Sequence, residues 1–557
     1  MMAHRDPVDV SAHCIGIIER VLDVDGVRTQ DDLFSLGADS LRIAMILNEI
    51  NADFNIDLLI ESLYEFRVVQ ELIDEVTRLT ERHECSPGPP AHPSIASPPP
   101  SPTPASPQER RMFAIWSGAP ESTAYNINAG VRVGASFRAD LAVDAINRIL
   151  DARPILRSTF DTDADGVLKR YVGDREDAQV LSRRWDRGGA EDIDPEELTR
   201  PFDLRRGPLL RVHLVTAQDE SGLLLFELHH IIGDGRSMAL IAQDFMTCYN
   251  ALATGEDPSL AESWDYGVYE EEWAASDEAD SSSSSGSYWA AVLDSPYRLC
   301  PPVGTDCSKN RGRSLFATVP RAKIQAVIDA CKEGGGFQAT TAGVLLTAYA
   351  VSLHRCYDTD SFIIGVPFSG RNDGRFDRTI GLFVNTLPIP IRLHDAPEGI
   401  TAVGSVSQRL REAHQHESDQ LDWIMRRRGD AGREDRSLFS AMFTMENVGI
   451  PPLVLEGAEA RALPLHQSGL KVPLNLLVTE EEDFDVELYF DETQIPVADA
   501  AAVADMMRIV IDELEERPGA RVDEYGGNDS TDHPVVDPGP AMSFLDDGYE
   551  AGDDDAS

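Results

Sequence analysis

Long apolar runs are lacking in this sequence of 557 residues. No apolar run approaches the roughly 20 residues that a membrane-spanning helix needs. The N-terminal stretch MMAHRDPVDV contains no apolar core of the kind found in signal peptides. We therefore expect a cytoplasmic protein without a membrane partner.

Cysteine and basic residues are also scarce. The seven cysteines are odd in number, scattered and without a CxxC pair, which argues against a disulfide framework or a zinc site, so we expect no bound metal. Lysine and arginine total 49 against 96 aspartates and glutamates, which gives a formal net charge of −47. Such a charge repels the phosphate backbone of nucleic acids, and we expect no nucleic-acid partner.

Proline is concentrated in one segment, SPGPPAHPSIASPPPSPTPASP, at residues 86–107. Its prolines oppose helix formation and favour an extended, semi-rigid spacer. Because a chain of this length is too long for one core, we predict a first unit at residues 1–84, a linker at 85–106 and a large unit at 107–520. The apolar periodicity then ends, which predicts a disordered acidic tail at 521–557.

The first unit has the pattern of a small helical bundle. Apolar residues recur at spacings of three and four in IGIIERVLDV (15–24), LRIAMILNEI (41–50) and VQELIDEVTRLTERH (69–83). Helices with one apolar stripe bury that stripe by packing together. The unit is therefore predicted to be all-α.

The large unit instead alternates between strand and helix patterns, which predicts a layered α/β structure. Examples are AYNINAGVRVGA (124–135) and FELHHII (226–232) as strands, and ADLAVDAINRILDA (139–152) and SMALIAQDFMTCYNAL (237–252) as helices. The polar segment SDEADSSSSSGS (276–287) indicates a connection between two lobes. We expect these lobes at approximately 107–280 and 281–520.

Ser40 stands in DLFSLGADSL (32–41), immediately before an apolar-periodic run. It is either a helix N-cap or an exposed serine at a helix N-terminus, where the helix dipole tolerates the negative charge of a phosphodiester. The unit resembles acyl and peptidyl carrier proteins, which are four-helix bundles whose matching serine carries 4′-phosphopantetheine. The resemblance implies that Ser40 is the attachment site and that a phosphopantetheinyl transferase is a partner.

Two adjacent histidines, His229 and His230, follow the apolar run LLLFEL and open the sequence HHIIGDG. An imidazole with an ordinary pKa of about 6.5 can accept the proton that an attacking amine releases. Paired histidines on a strand are also common structural residues, and because neighbouring side chains point to opposite faces, only one would reach a given cleft. The residues alone leave both interpretations open.

HHIIGDG matches the HHxxxDG signature of the condensation domains of nonribosomal peptide synthetases. Six further segments match that family in its order: SPQERRMF (106–113), DARPILRSTF (151–160), PFDLRRGPLLR (201–211), IIGVPFSGR (363–371), IGLFVNTLP (380–388) and SLFSAMFTMEN (437–447). The large unit therefore resembles a condensation domain from about residue 106 to 520. The resemblance implies two chloramphenicol-acetyltransferase-like lobes with the histidine motif in the tunnel between them.

The resemblance assigns a different role to each residue of the motif. His230 matches the catalytic histidine, which acts as a general base or as a group that positions the amine, and His229 supports the local structure. Asp234 maintains the site by pairing with an arginine, for which Arg371 is the candidate, although Arg371 can also be read as a solvated loop residue. Gly235 stands where substrate passes close to the backbone.

Three more positions bear on the resemblance. Asn385 and Asn447 match residues that line or support the cleft, but asparagines at such places are also ordinary turn residues. Arg236 departs from the family, in which tryptophan commonly follows the glycine, so the donor and acceptor subtype stays open. The NTLP segment and the retained histidine pair favour a condensation domain over epimerisation, heterocyclisation and recruiting domains.

The two units together predict a nonribosomal peptide synthetase component of natural-product biosynthesis. It would form an amide between an acyl or peptidyl donor on Ser40 and an amine that is free or held on a partner carrier. Since no adenylation domain is visible, an adenylation or acyl-loading enzyme is expected to act in trans. The alternatives are ester formation with a hydroxyl acceptor, a non-catalytic platform for tailoring enzymes, and an acyl-CoA acyltransferase.

The acidic tail has two interpretations. Runs of acidic residues commonly serve only to keep a chain soluble. In SFLDDGYEAGDDDAS, however, Phe544, Leu545 and Tyr549 alternate with acidic residues, a pattern typical of short segments that dock onto a basic surface. On this second interpretation the tail binds a downstream carrier or synthetase protein.

Overall fold

The computed structural model describes most of the large unit and part of the small one. The described residues are 10–22, 24, 26–31, 46, 50, 54, 68–70, 72–73, 76–78, 102–174, 179–186, 188–277, 285–294, 297–302, 312–337, 339–371, 373–427, 438–446, 453–463 and 470–526. The chain divides into two compact units, Met1–Ser97 and Pro98–Ser557.

The first unit has its own apolar core, to which helix α1 (Val10–Leu22) contributes one face. The buried residues are Cys14, Ile17, Ile18, Leu22, Val27, Ile46, Ile50, Val69, Leu72, Ile73 and Val76. The carboxylate of Glu19 accepts the backbone N–H groups of Gly26 and Val27 at 2.8 and 3.0 Å, which fixes the turn after α1. The predicted bundle falls largely outside the described residues, and so does Ser40.

The N-terminal half of the second unit alternates strands and helices, as its apolar patterns predict. Its elements are β1 (Thr103–Pro104), α2 (Pro107–Gly118), β2 (Asn126–Val133), α3 (Ala139–Ala152), β3 (Ser158–Thr162), β4 (Leu168–Val172), β5 (Gln179–Arg184), β6 (Leu210–Thr216), β7 (Gly222–His229), α4 (Gly235–Thr254), α5 (Tyr266–Asp277) and α6 (Ser285–Val292).

The C-terminal half continues with a second set of strands and helices. Its elements are β8 (Gly312–Val319), α7 (Arg321–Ala330), α8 (Thr341–Tyr357), β9 (Ser361–Phe368), β10 (Asn385–Arg392), α9 (Gly399–His414), α10 (Leu421–Arg427), β11 (Ala441–Glu446), β12 (Ala460–Leu463), β13 (Leu474–Glu480), β14 (Phe484–Asp491) and α11 (Val497–Glu516).

The first sheet has the strand order β12-β2-β7-β6-β5. Its central strand β7 is buried along its whole length, which explains why LLLF (223–226) is continuously apolar instead of alternating. Strands β2 and β6 pair with β7 in antiparallel register, with Asn126 opposite His229 and Leu210 opposite Leu228. Helices α3 and α4 pack together and belong to the same core as this sheet.

The second sheet has the order β10-β9-β11-β13-β14-β8. Strand β11 pairs in parallel with both β9 and β13, and the other neighbours are antiparallel. Helix α8 packs against α9 and α11, and its residues from Gly343 to Leu353 are all buried. The second core is therefore built around a helix whose middle section is buried on every side.

The large unit extends beyond both of its predicted boundaries, so the predicted linker and the predicted tail each lose a few residues to it. Residues 103–106 are not spacer, because β1 pairs with β4 and both Thr103 and Ser106 are buried. Ser106 and Glu109 form a capping box that begins α2. At the other end, Val522 and Tyr525 are fully buried in the second core, so residues 521–526 belong to the fold and not to a tail.

The predicted division into lobes near residue 280 is wrong for two segments. Strand β12 pairs with β2 in the first sheet, although it lies between β11 and β13 of the second. Phe376 and Phe383, which lie between β9 and β10, are buried in the first core. The chain thus crosses between the two sheets, with Phe376 and Phe383 adding buried side chains to the first core and β12 adding an edge strand to the first sheet. Among the described residues, no helix has the length and apolar character to cross a membrane.

Candidate functional site

The two histidines lie where β7 ends and the chain turns. Strand β7 stops at His229, and His230–Ile232 forms a 3₁₀ turn, so the expected continuous strand FELHHII is wrong beyond His229. The backbone N–H of Ile231 donates to Nδ1 of His229 at 3.1 Å, which caps this turn. The backbone N–H of His230 donates to the carbonyl of Tyr125 at 2.8 Å. We call His229–Ile232 the histidine corner.

His229 is a structural member of the corner. It is buried, and its ring meets the Phe202 ring edge-on at 5.9 Å between centroids. Burial and the nearby Arg211 lower the pKa of His229 to about 3. Its Nδ1 is also occupied as a hydrogen-bond acceptor. His229 is therefore neutral and tied to the backbone near pH 7.

His230 is placed differently. It is half-buried, and in the described part of the chain neither of its ring nitrogens has a hydrogen-bond partner. Burial, followed by the positive charge of Lys471, lowers the pKa of its imidazole, while Asp234 partly offsets both effects. A neutral imidazole with unengaged nitrogens can accept a proton from a bound amine or hydroxyl.

Asp234 and Arg371 form the buried ion pair expected from the resemblance. Arg371 Nη2 lies 3.0 Å from Oδ1 and 3.2 Å from Oδ2 of Asp234. Arg371 Nη1 donates to the carbonyls of Phe376 and Thr379, both at 2.8 Å. The guanidinium also lies over the Phe383 ring, 4.0 Å from its centroid. Arg371 is thus a buried residue and not a solvated loop arginine.

The Asp234 carboxylate is surrounded by donors. It is the N-cap of α4, with Oδ1 accepting the N–H and hydroxyl of Ser237 at 2.8 Å each. Its Oδ2 accepts the N–H of Phe383 at 3.2 Å. Burial raises the pKa of Asp234, but Arg371 and these donors lower it by more, so the net shift is downward and the carboxylate is ionised. Asp234 has no free oxygen with which to transfer a proton.

Gly235 and Arg236 follow at the start of α4. A Cβ placed on Gly235 would meet no atom within 4 Å, so open space adjoins the backbone at the position where the resemblance implies close approach of substrate. Gly233 is the tighter glycine, because a Cβ there would lie 3.1 Å from the side chains of Leu228 and Ser237. Arg236 is half-buried, and burial and Arg371 lower its pKa.

Asn385 begins β10 and supports a neighbouring turn. It is buried, and its Nδ2 donates to the carbonyls of Glu417 and Asp419 at 2.8 Å each. Both amide hydrogens are therefore used to hold the backbone between α9 and α10. Asn447 lies outside the described residues, as does Ser40.

Two charged residues near the corner were missed by the sequence reasoning. The ammonium of Lys471, which precedes β13, lies 5.9 Å from the centroid of the Tyr125 ring. That ring is 6.4 Å from the imidazole of His230. Glu446, the last residue of β11, interacts electrostatically with Lys471. The only signal in the sequence is an isolated lysine in the apolar stretch LKVPLNLLV (470–478).

Models of two known families match the two parts of the chain. The family model of the condensation domain matches residues 102–531, and that of the phosphopantetheine attachment site matches residues 15–76. The chain belongs to the condensation-domain family, here preceded by a carrier domain in the arrangement of nonribosomal peptide synthetases. Such a carrier holds covalently attached 4′-phosphopantetheine, and the matched segment contains Ser40.

The curated relatives are much larger proteins. Gramicidin S synthase 2 of Brevibacillus brevis is 26% identical over 491 residues, which are 86% of this chain and 11% of the synthase. Surfactin synthase subunit 2 of Bacillus subtilis (strain 168) is 27% identical over 476 residues, which are 83% of this chain and 12% of that protein. This chain thus spans only a small part of the length of either relative.

A solved structure shows the same fold. The crystal structure of the X-domain from teicoplanin biosynthesis superposes with a TM-score of 0.67 at 20% identity. The match covers 78% of this chain and 99% of that one. At this identity the likeness concerns the condensation-domain fold alone.

Proposed function

We propose that this protein forms an amide bond between an acyl or peptidyl group carried on Ser40 and an amine that is free or held on a partner carrier. The observation that carries the proposal is the environment of His230. Its imidazole is neutral and has no hydrogen-bond partner among the described residues, while the backbone N–H of His230 donates to the Tyr125 carbonyl and fixes the main chain there. The adjacent His229 lacks this freedom, because its Nδ1 is already bonded.

The chemistry asked of His230 is the removal of one proton. The phosphopantetheine arm, when bound, presents the acyl group as a thioester. As the amine nitrogen attacks the thioester carbonyl, a C–N bond forms, the C–S bond breaks and the nitrogen must lose a proton. His230 accepts that proton and can return it to the departing sulfur, so the imidazole is regenerated. General-base assistance of this kind contributes on the order of 10²–10⁴ in rate.

Asp234 and Arg371 act by holding the site together. Their ion pair connects the start of α4, which follows the histidine corner, to the segment between β9 and β10. Because the Asp234 carboxylate is fully engaged, it serves as an anchor and not as a proton carrier. Loss of this pair would therefore alter the position of the corner relative to the second sheet.

The partners follow from the chemistry. A phosphopantetheinyl transferase modifies Ser40, and an adenylation or other acyl-loading enzyme supplies the donor.

The residues from 532 to 557 lie beyond the family match, and we propose that they dock onto a downstream carrier. Removing 532–557, which keeps the buried Val522 and Tyr525, should slow transfer to a carrier-bound amine but not to a free amine. Equal rates with and without the segment for both acceptors would refute docking.

Donor unloading measured by intact mass tests the central proposal. The wild type is loaded by a promiscuous phosphopantetheinyl transferase with octanoyl-, phenylacetyl- or glycyl-coenzyme A as the source of the acyl arm. Butylamine, glycine and butanol are then supplied as acceptors. We expect the carrier to lose the mass of the acyl group while the corresponding amide appears in solution. The rate of this unloading should be at least about 100-fold lower in His230→Ala. The matched control His394→Ala, at an exposed histidine paired with Asp360, should unload like the wild type.

Each of the other outcomes contradicts part of the proposal. Equal unloading of wild type and His230→Ala would favour a platform without catalytic function. Product from butanol alone would identify an ester-forming enzyme. If Ser40→Ala still gains the phosphopantetheine mass, the assignment of the attachment site is wrong.

A further inference from the structure

Lys471, which precedes a strand of the second sheet, places a positive charge near the histidine corner at the end of β7 in the first sheet. It lies in the short segment that leads into β13, and its ammonium lies over the ring of Tyr125. Tyr125 also accepts the backbone N–H of His230, and the two rings are 6.4 Å apart. Lys471, Tyr125 and His230 therefore form one cluster, which we call the lysine cluster.

In the part of the chain that the structure describes, Lys471 is not neutralised by a close ion pair. Within the described residues, no carboxylate lies within 4.0 Å of its ammonium. Glu446 is the acidic group that acts on it, from the end of β11. Burial is the larger influence and lowers the pKa of Lys471 to about 8, so the side chain is mostly charged at pH 7 and neutral well above pH 8.

We propose that Lys471 is a positioning residue whose charge, placed beside Tyr125 by the segment before β13, adds to burial in disfavouring protonation of the His230 imidazole. The proposal deepens the proposed function and rests on it for its catalytic meaning. The ammonium and a protonated His230 would both lie beside the Tyr125 ring, 5.9 and 6.4 Å from its centroid, and two like charges in a half-buried site repel each other. The neutral imidazole avoids this repulsion and has its nitrogens available to the amine.

The other charged groups around His230 do not account for the same effect. Asp234 favours the protonated imidazole, but its carboxylate is already paired with Arg371. His229 is neutral and contributes little. Among the residues that the structure describes, Lys471 is thus the cation that opposes protonation of His230, and it would also favour passage of the proton from His230 to the departing sulfur.

Titration of His230 by NMR tests this without knowledge of the natural substrates. The chain has 13 histidines, and ¹³Cε1-labelled histidine combined with His230→Ala identifies the signal of interest. We expect the pKa of His230 to rise by about one pH unit in Lys471→Met, because one positive charge is removed at unchanged size. In Lys471→Arg the charge remains, and the titration should stay close to that of the wild type.

The outcomes separate this inference from the proposed function. An unchanged His230 titration in Lys471→Met, or an equal rise in Lys471→Arg, would overturn the role of Lys471 even if the enzyme is active. The signal of the exposed His394 should be the same in all variants, which verifies the fold. If the titration shifts as expected, the acid limb of the pH–rate profile must move upward by the same amount in Lys471→Met. A profile that does not move means that His230 is not the base.

Discussion

Nη2 of Arg371 faces both carboxylate oxygens of Asp234, at 3.0 and 3.2 Å, across a sequence separation of 137 residues. Nη1 of the same guanidinium is fixed by the carbonyls of Phe376 and Thr379. One side chain therefore joins the N-terminus of α4 to the loop between β9 and β10. Because the pair is buried, removing one partner leaves the other charge without compensation.

Arg371→Met should accordingly lower the free energy of unfolding by about 3–5 kcal/mol, since the Asp234 carboxylate stays buried without its partner. In the double variant with Asp234→Asn, the loss should be smaller than the sum of the single losses by about 1–3 kcal/mol. Urea unfolding followed by tryptophan fluorescence measures both quantities. Arg378→Met, at an exposed arginine of the same loop, should change stability by no more than about 0.5 kcal/mol. Additive losses would mean that the pair is not coupled.

A second buried ion cluster contains two carboxylates and one guanidinium. Arg170 Nε and Nη2 lie 3.1 and 2.5 Å from the two oxygens of Glu270, whereas Glu109 Oε1 is 4.0 Å from Arg170. Burial and the charge of Glu270 raise the pKa of Glu109 well above its ordinary value. Glu109 is thus the carboxyl that holds a proton more readily, and Glu270 is the counter-charge of Arg170.

Glu109→Gln should therefore leave the free energy of unfolding at pH 8 unchanged or slightly higher, because the amide resembles the protonated acid and still accepts the N–H of Ser106. Glu270→Gln should lower it by about 3 kcal/mol, because Arg170 loses its partner. Each variant makes the same chemical change, from a carboxylate oxygen to an amide NH₂ group, so the two variants serve as controls for each other. The opposite order of stabilities would show that Glu109 is the ionised member.

Asn385 offers a test of whether a site residue acts through structure alone. Asn385→Ala should cost about 1–3 kcal/mol of stability, because the carbonyls of Glu417 and Asp419 lose their donor. Asn385→Asp should cost more, since a carboxylate would face two carbonyl oxygens. At a temperature where all proteins are folded, Asn385→Ala should unload its donor at a rate within a few-fold of the wild type. A loss as large as that of His230→Ala would instead place Asn385 in the chemistry.

Local patterns predicted the regular elements well. The segment ADLAVDAINRILDA was predicted as a helix and forms α3 with the same bounds, and the strand pattern at 124–135 contains β2. Both depend on apolar periodicity, which is a property of neighbouring residues. The end of β7 at His229 was not predicted, because it depends on a hydrogen bond from Ile231 back to the His229 ring, and hydropathy carries no signal for such a turn.

The sequence predicted only some of the contacts between residues that are far apart in the chain. The pairing of Asp234 with Arg371 was expected from the resemblance, not from spacing. The position of Lys471 beside Tyr125 depends on how the segment before β13 approaches the first sheet, and no local pattern specifies that approach. The same holds for β12, four residues that pair with a strand more than 300 positions earlier.

His229 should make the large unit sensitive to mild acid. Its pKa is about 3 in the folded protein and about 6.5 when unfolded, so between these values the unfolded chain binds more protons and stability falls as the pH falls. At pH 5 this loss amounts to about 2 kcal/mol relative to pH 8. In His229→Asn, whose side-chain oxygen can still accept the Ile231 N–H, the loss between pH 8 and 5 should be smaller by that amount. All six tryptophans lie between residues 116 and 423, so urea unfolding followed by their fluorescence reports on this unit without the carrier. An equal acid dependence in both proteins would show that His229 is not neutral in the fold.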